Sequence, residues 1–284
     1  MPELPEVETI ARGLHTHVAG DTIESVWLGS KPQTMKSRPA EIAATLEHTR
    51  IAQVRRMGKH IVFELERNGV PALAKPRRRM PTPGPRSQWI VHLGMTGRML
   101  VCEPTAELEK HTHAIVTLGS GRELRFVDPR RFGRLSVASQ GDFEAAGAEP
   151  LEVKREEFVS LFRGRKTPIK SALLNQKLLR GVGNIYADES LFRARLRPRR
   201  RVSSIPRAQL EKLYESVQEV LEEAIAMGGS SVSDYVDADG EAGFFQLQHR
   251  VYGRDGEACL VCKTPIKRIV IAGRSSHYCP KCQK

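Results

Sequence analysis

A chain of 284 residues, 40% of them apolar and 27% charged, is long enough for two domains with cores of their own, and its composition fits neither disorder nor a collagen-like repeat. No run of about eighteen apolar residues occurs and the start lacks the basic and apolar segments of a secretion signal, so a cytoplasmic protein is expected. Forty-five basic against thirty-three acidic side chains give a formal net charge of +12, which points to a polyanionic partner, nucleic acid ahead of membrane.

In chain order, residues 3–18 carry Val7, Ile10, Ala11, Leu14 and Val18 at helical spacing, and Gly20 closes the segment. Short β-rich runs follow at 22–29, 51–57, 60–65, 89–101, 114–118, 123–127 and 135–138, with one helix near 40–47. Many short strands separated by Gly and Pro turns imply a sandwich or barrel. Residues 74–88, with Arg77-Arg78-Arg79 among four prolines, have no period and little apolar content, and read as a flexible insertion between two strands.

Beyond Gly141 the pattern turns helical, at 158–162, 170–174, 184–192 and 207–227. The last is the strongest, with Leu210, Leu213, Tyr214, Val217, Val220, Leu221 and Ile225 on one face, Ser204 and Pro206 at its entry and Gly228-Gly229 at its end. Between these helices Arg193, Arg195, Arg197, Arg199, Arg200 and Arg201 put six arginines in nine residues, expected as a hinge or exposed turn. With Arg163, Arg165, Lys166 and Arg130-Arg131 they argue for phosphate contacts over a merely solubilising charge, and each phosphate neutralised adds about 0.9 to the salt slope of duplex binding.

Cys259, Cys262, Cys279 and Cys282 form C-x2-C, sixteen residues, C-x2-C, the spacing of a structural zinc site. A terminal unit of about thirty residues could not bury enough apolar area without a metal, and disulfides are the lesser alternative in a chain with no export signal. Cys102 is left over and is expected as a buried free thiol. Residues 266–271 alternate like a strand and 272–276 turn back, which sets Arg274 near a hairpin tip, where it could reach phosphates or simply be solvated.

The run Gly181-Val182-Gly183-Asn184 lacks the third glycine and the preceding strand of a dinucleotide fingerprint. It reads instead as a glycine-hinged turn between two helices, 170–177 and 184–192, either purely structural or offering backbone amides and a helix N-terminus to a phosphate.

The first residues, Met1-Pro2-Glu3-Leu4-Pro5-Glu6, carry a possible nucleophile. Loss of the initiator methionine exposes a secondary amine beside two carboxylates. A main-chain amine titrates near pH ~8 and lysine near ~10.4, so near neutrality more of the terminal amine holds a free lone pair. An iminium formed from it has no proton to lose and stays cationic. The plainer reading is a proline that tolerates a helix start.

MPELPEVETI at the start, RRMGKH at 55–60, HLGMTGRM at 92–99, DPRRFG at 128–133, GVGNIYADESLF at 181–192 and the terminal cysteine unit occur in one order along nearly the whole chain. Together they resemble the bacterial formamidopyrimidine-DNA glycosylase family, which removes 8-oxoguanine and ring-opened purines. The resemblance implies an α+β fold in three domains: an N-terminal β-sandwich with a leading helix at 1–140, a helix-two-turn-helix domain at 141–249 and a β-hairpin zinc finger at 250–284, with DNA bound between the lobes. It implies a monomer acting on damaged double-stranded DNA, away from membranes, in the bacterial cytoplasm on the nucleoid, and one structural Zn2+ held by the four cysteines.

By motif position the resemblance makes Pro2 the nucleophile at the sugar C1′ and Glu3 the acid that protonates the opening ring. Lys59 assists at the damaged nucleotide and in the first elimination, and Arg274 grips flanking phosphates and supports the second. Met95, Arg130 and Phe132 fill the gap left by an extruded base, although Met95 and Phe132 taken singly read as core residues. His111, Arg130, Arg165 and Asn184 fall at phosphate contacts. The insertion at 74–88 is longer than the family usually carries, and Ser233 stands in the loop 230–243 where many relatives have a basic residue. An endonuclease VIII-type enzyme for oxidised pyrimidines is the nearer rival, disfavoured by Leu4. A zinc-finger DNA-binding protein without catalysis is the other.

Overall fold

The computed structural model describes residues 1–67, 86–231 and 238–284. The chain forms two compact units, one of residues 1–2, 6–144 and 232–242, the other of 3–5, 145–231 and 243–284.

The first unit is built on two four-stranded antiparallel sheets. With β1 Ile23–Leu28, β2 Thr49–Met57, β3 His60–Arg67, β4 Arg86–His92, β5 Arg98–Cys102, β6 Thr112–Leu118, β7 Glu123–Val127 and β8 Arg134–Ser139, the orders are β1-β6-β7-β5 and β2-β3-β4-β8. Helix α1, Leu4–Val18, turns Val7, Ile10, Ala11, Leu14 and Val18 into the same core that takes Phe63, Trp89, Phe126 and Leu135 from the sheets. The 3.6-residue repeat of those positions is what makes one face of α1 apolar, and each of its buried Val, Ile and Leu side chains contributes roughly 1.5–3 kcal/mol. Helix α2, Pro39–Leu46, starts on a proline at its first turn and buries Ile42 and Leu46.

The expected single strand at 89–101 is two strands in different sheets. Gly94, at φ +66°, and Gly97, whose amide donates to the Leu93 carbonyl at 2.9 Å, turn the chain back between β4 and β5. A Cβ on Gly94 would stand 2.5 Å from the backbone of Phe132 and Gly133, so only glycine lets the two loops touch. Strand β4 also begins at Arg86, which makes residues 86–88 of the expected insertion sheet, with Gln88 buried; the rest of it and Ser233 lie outside the described residues.

The second unit packs α3, Arg155–Phe162, α4, Ile169–Leu173, α5, Asn184–Arg193, and α6, Arg207–Ala226, around one core. Helix α6 buries Leu210, Leu213, Val217, Val220 and Leu221 and ends where Gly228 and Gly229 take φ of +74° and +82°. Tyr214 and Ile225 pack at the edge of that core. The hairpin of β9, Lys267–Ile271, and β10, Arg274–Tyr278, closes the chain, and both residues of its turn, Ala272 and Gly273, have positive φ, the backbone of a two-residue primed turn.

Buried charge ties α5 to this hairpin. The fully buried Lys170 donates to Asp188 at 2.7 Å and to the Ser275 carbonyl at 2.6 Å, while the His277 amide donates to the other Asp188 oxygen at 2.8 Å. Glu189 accepts the amides of Arg250, Val251 and Tyr252 at 2.8–3.0 Å, and burial pushes its carboxyl up. Breaking a pair such as Lys170–Asp188 by removing one partner strands the other charge and costs about 3–5 kcal/mol.

The arginine-rich stretch is an exposed turn, as expected, with Arg195, Arg197, Arg199 and Arg201 exposed, and several of its guanidinium groups also bind within the unit. Arg193 makes a two-bond pair with Glu223, Arg197 donates to the carbonyls of Gln283 and Pro280, Arg199 to that of Val270, and Arg200 to Gln209 and the Ser204 carbonyl. Four of the six arginines therefore brace the second unit. Among the described residues no helix is long and apolar enough to cross a membrane.

Candidate active site and zinc centre

Pro2 is buried and Glu3 is 4% exposed. The Glu3 carboxylate accepts the amide of Ile185 at 3.1 Å and that of Tyr186 at 3.4 Å, both in the first turn of α5, where unpaired amides and the helix dipole favour an anion. The Leu4 amide donates to the Gly181 carbonyl at 3.0 Å. Both glycines of the G-V-G-N run are there for this approach: a Cβ on Gly183 would lie 2.2 Å from Glu3 Cδ, and one on Gly181, at φ +91°, 2.8 Å from Leu4. The turn expected to offer its amides to a phosphate gives two of them to Glu3.

Asn184, the first residue of α5, donates to Ser275 Oγ at 3.3 Å and so meets the residue after the exposed Arg274. Burial raises the Tyr252 hydroxyl, a hydrogen bond to Asn184 opposes this, Glu3 and Asp188 add to it, and Arg274 works against it. Lys170 is lowered by burial, held up by Asp188 and Glu3, and lowered by Arg274. Glu3 and Arg274 therefore both act on Tyr252 and Lys170, and Asn184 bonds Tyr252. Arg165 is exposed after α3 and donates to the Leu161 carbonyl at 2.6 Å.

In the first unit Lys59 is half-buried in the two-residue turn between β2 and β3, where Gly58 takes φ +59°. Arg56 holds that turn, donating to the Gly58 carbonyl at 3.2 Å and to Glu8 of α1 at 2.7 Å. Sequence reasoning missed Arg56 and also His92, whose pKa is brought down to about 4 by burial and then by the positive charges of His60, Lys59, Arg134 and Lys36. His92 faces His60 across paired strands, with ring centroids 4.9 Å apart. The signal was in the alternation of β3 and β4, which puts both imidazoles in register beside Lys59.

Met95 and Phe132 are 39% and 49% exposed, so neither is a core residue. Arg130 lies over the Phe132 ring at 4.9 Å from its centroid, a cation–π contact, and the Gly94 approach sets the Met95 loop against the Phe132 backbone. His111 is half-buried, and its carbonyl accepts the Asp128 amide at 3.0 Å. The fully buried Asp128 links the Met95 and Phe132 loops and is a third residue the sequence did not single out. Cys102 ends β5 half-buried and unpaired, its thiol pushed up by burial.

The four remaining cysteines converge, their Sγ atoms all within 4.8 Å of one another, with Cys259–Cys282 at 4.0 Å and Cys262–Cys279 at 3.4 Å. Zn–S bonds of about 2.3 Å in a tetrahedron put sulfurs about 3.8 Å apart, and a disulfide would need about 2.05 Å. The donor set fits one structural zinc, and the Cys282 amide pointing at Cys279 Sγ, 3.4 Å away, suits a thiolate.

Three family models match in succession: the formamidopyrimidine-DNA glycosylase N-terminal domain over 1–135, the formamidopyrimidine-DNA glycosylase H2TH domain over 146–236, and a zinc finger found in FPG and IleRS over 256–284. A formamidopyrimidine-DNA glycosylase of Solibacter usitatus is 44% identical over all of both chains, and one of Thermus thermophilus 43% identical over 100% of this chain and 98% of its own. The crystal structure of the Thermus thermophilus MutM (Fpg) protein covers 99% of this chain and 98% of its own at 40% identity and TM-score 0.83. That of Lactococcus lactis Fpg with DNA containing an abasic site covers 99% of each at 30% identity and TM-score 0.86. With three family models in succession and relatives 43–44% identical over the full length of this chain, the chain belongs to the formamidopyrimidine-DNA glycosylase family.

Proposed function

We propose that the protein is a base-excision repair enzyme that removes 8-oxoguanine and formamidopyrimidines from duplex DNA and cleaves the resulting abasic strand through a Schiff base on Pro2. The observation that carries the site assignment is Glu3, buried next to Pro2 and locked by two amides of α5 in the neighbourhood of Asn184 and Arg274. The reading takes 1–140 as the sandwich domain with Pro2 and Lys59, 141–249 as the helical DNA-binding domain and 250–284 as the zinc finger that presents Arg274. A chromosomal DNA substrate supports action on the nucleoid in this reading.

In this reading, once Met1 is gone, the Pro2 nitrogen attacks C1′ and the C1′–base bond breaks, the base leaving with the bonding pair. Glu3 takes the proton that the nitrogen loses as the C–N bond forms and passes it to the ring oxygen, O4′, as the C1′–O4′ bond opens. The iminium acidifies the C2′ proton; its removal expels the 3′ phosphate, and a second elimination expels the 5′ phosphate, leaving a one-nucleotide gap. In the same reading Lys59 and Arg274 serve as cations for the leaving phosphates, and His111, Arg165 and Asn184 bind the DNA backbone.

The damaged nucleotide must leave the stack for C1′ to be reached, at a cost of a few kcal/mol. Met95 and Phe132 supply an apolar wedge, and Arg130 a cation for the orphaned base. The zinc, held by Cys259, Cys262, Cys279 and Cys282, supplies rigidity to the hairpin and no chemistry.

Incubating the protein with 8-oxoguanine or abasic duplex plus borohydride tests this. A covalent protein–DNA complex is expected, with Pro2→Gly losing strand cleavage while keeping zinc and duplex affinity. Full cleavage by Pro2→Gly contradicts the assignment.

A further inference from the structure

Met95, Arg130 and Phe132 sit on two separate loops, and an exposed wedge on two loops is useful only if the loops hold one geometry while a base pair is forced apart. A fully buried carboxylate joins them. Asp128 Oδ1 accepts the Thr96 hydroxyl at 2.6 Å and the Arg130 amide at 3.2 Å, and Oδ2 accepts the Gly133 amide at 2.7 Å. Thr96 is the neighbour of Met95, and Arg130 and Gly133 flank Phe132 within the other loop. The Arg130 amide also reaches Thr96 Oγ1 at 3.3 Å. Asp128 is itself fixed from behind: its amide donates to the His111 carbonyl at 3.0 Å, its carbonyl meets His113 Nε2 at 3.0 Å, and the Arg131 amide donates to that carbonyl at 3.3 Å.

We infer that Asp128 is a positioning residue for base extrusion: its carboxylate clamps the Met95 loop to the Arg130–Phe132 loop so that the three side chains enter the duplex as one rigid wedge. The inference rests on the proposed role of those three residues and adds the element that makes them act together. An ionised carboxylate is suited to the place because all three partners are donors and it only accepts. Asparagine, with the same shape, must turn an NH2 group toward one of those donors, and at a buried position that contact has no water to replace it. The left-handed Arg131, at φ +57°, between Arg130 and Phe132 shows a loop bent to bring both onto one side, where Arg130 stacks on the ring. Preorganisation of this kind acts on the step that needs the wedge and leaves the chemistry at C1′ alone.

The test compares a substrate that needs a wedge with one that does not, using zinc-loaded full-length protein. Asp128→Asn and Thr96→Val are assayed on duplex containing 8-oxoguanine and, by borohydride trapping, on single-stranded DNA carrying an abasic site, with 2-aminopurine fluorescence beside the lesion reporting unstacking. Asp128→Asn is expected to lower duplex excision at least about tenfold and the unstacking signal with it, while single-strand trapping changes less than about twofold. Thr96→Val, which removes one clamp bond without stranding a charge, should give the same selective loss at about threefold or more, and it decides the matter if Asp128→Asn does not fold. The inference is overturned if Thr96→Val or a folded Asp128→Asn excises from duplex at the wild-type rate, or if the loss is equal on both substrates, since that is a general structural defect. Absence of any trapped complex with the wild type on either substrate overturns the Pro2 reading first and this inference with it.

Discussion

At the scale of single residues, the tightest constraint is the space around Glu3. Gly183 has an ordinary negative φ of −128°, so its lack of a side chain serves the approach of the carboxylate, which a Cβ would meet at 2.2 Å. Gly183→Ala should therefore push Glu3 off the amides of Ile185 and Tyr186. We expect strand cleavage to fall by about tenfold or more and stability by about 1–3 kcal/mol, read by nicking kinetics and thermal unfolding of the same sample. Wild-type kinetics in that variant would mean that the carboxyl's position is not critical. The sequence displayed the two glycines and the helix start but could not show who occupies the amides, because Glu3 lies 182 positions from Ile185 in the chain. A phosphate and a carboxylate satisfy the same donors, and only the fold chooses between them.

At the scale of elements, most helices and strands announced themselves by period, and the departures have local causes. The run 89–101 is apolar enough to read as one strand, yet Gly94 and Gly97 mark a reversal whose necessity is visible only against Phe132 and Gly133. The hairpin carrying Arg274 was legible in outline from the alternation of its first strand, but the turn expected over 272–276 is only Ala272-Gly273, and Arg274 already pairs with Ile271 as the first residue of β10. Beyond the Lys170–Asp188 tie, the base of the hairpin depends on the metal: among the described residues the cluster there buries only Phe192, Val251, Cys259, Ile266 and Cys279, too little apolar surface to hold the two cysteine loops together. Cys279→Ser, or chelation of the wild type, should abolish the one bound zinc per chain, unfold this region while the sandwich keeps its own melting transition, and weaken duplex binding. Normal affinity in metal-free protein would contradict a structural zinc.

At the scale of the whole molecule, the net charge of +12 predicted a polyanionic partner correctly, while the densest arginine run, exposed as expected, also spends several guanidinium groups on carbonyls and carboxylates of its own unit. Arg197 reaches carbonyls more than eighty positions away, and no local signal distinguishes such a brace from a phosphate contact. Stability should also carry a pH signature. His249 is buried against Ser230 and its folded pKa is lowered to about 4 from an ordinary 6.5, as His92 is in the other unit. Both are neutral in the folded and unfolded states above pH 6.5, where their full contribution is present. As the pH falls from there toward 4, the unfolded chain binds protons that the folded one refuses, and stability is lost. The loss from His249 is on the order of 3 kcal/mol at most, and His249→Gln should flatten that part of the curve in thermal unfolding across the window. A curve that does not fall on acidification through it would show that these imidazoles are not buried neutral. The proposed chemistry requires one covalent bond, between the Pro2 nitrogen and the deoxyribose, and peptide mapping by mass spectrometry of the borohydride-trapped complex addresses it directly. The deoxyribose remnant should sit on the nitrogen of a Pro2 that has lost Met1; active protein that retains Met1, or a remnant found on Lys59 instead, would contradict it.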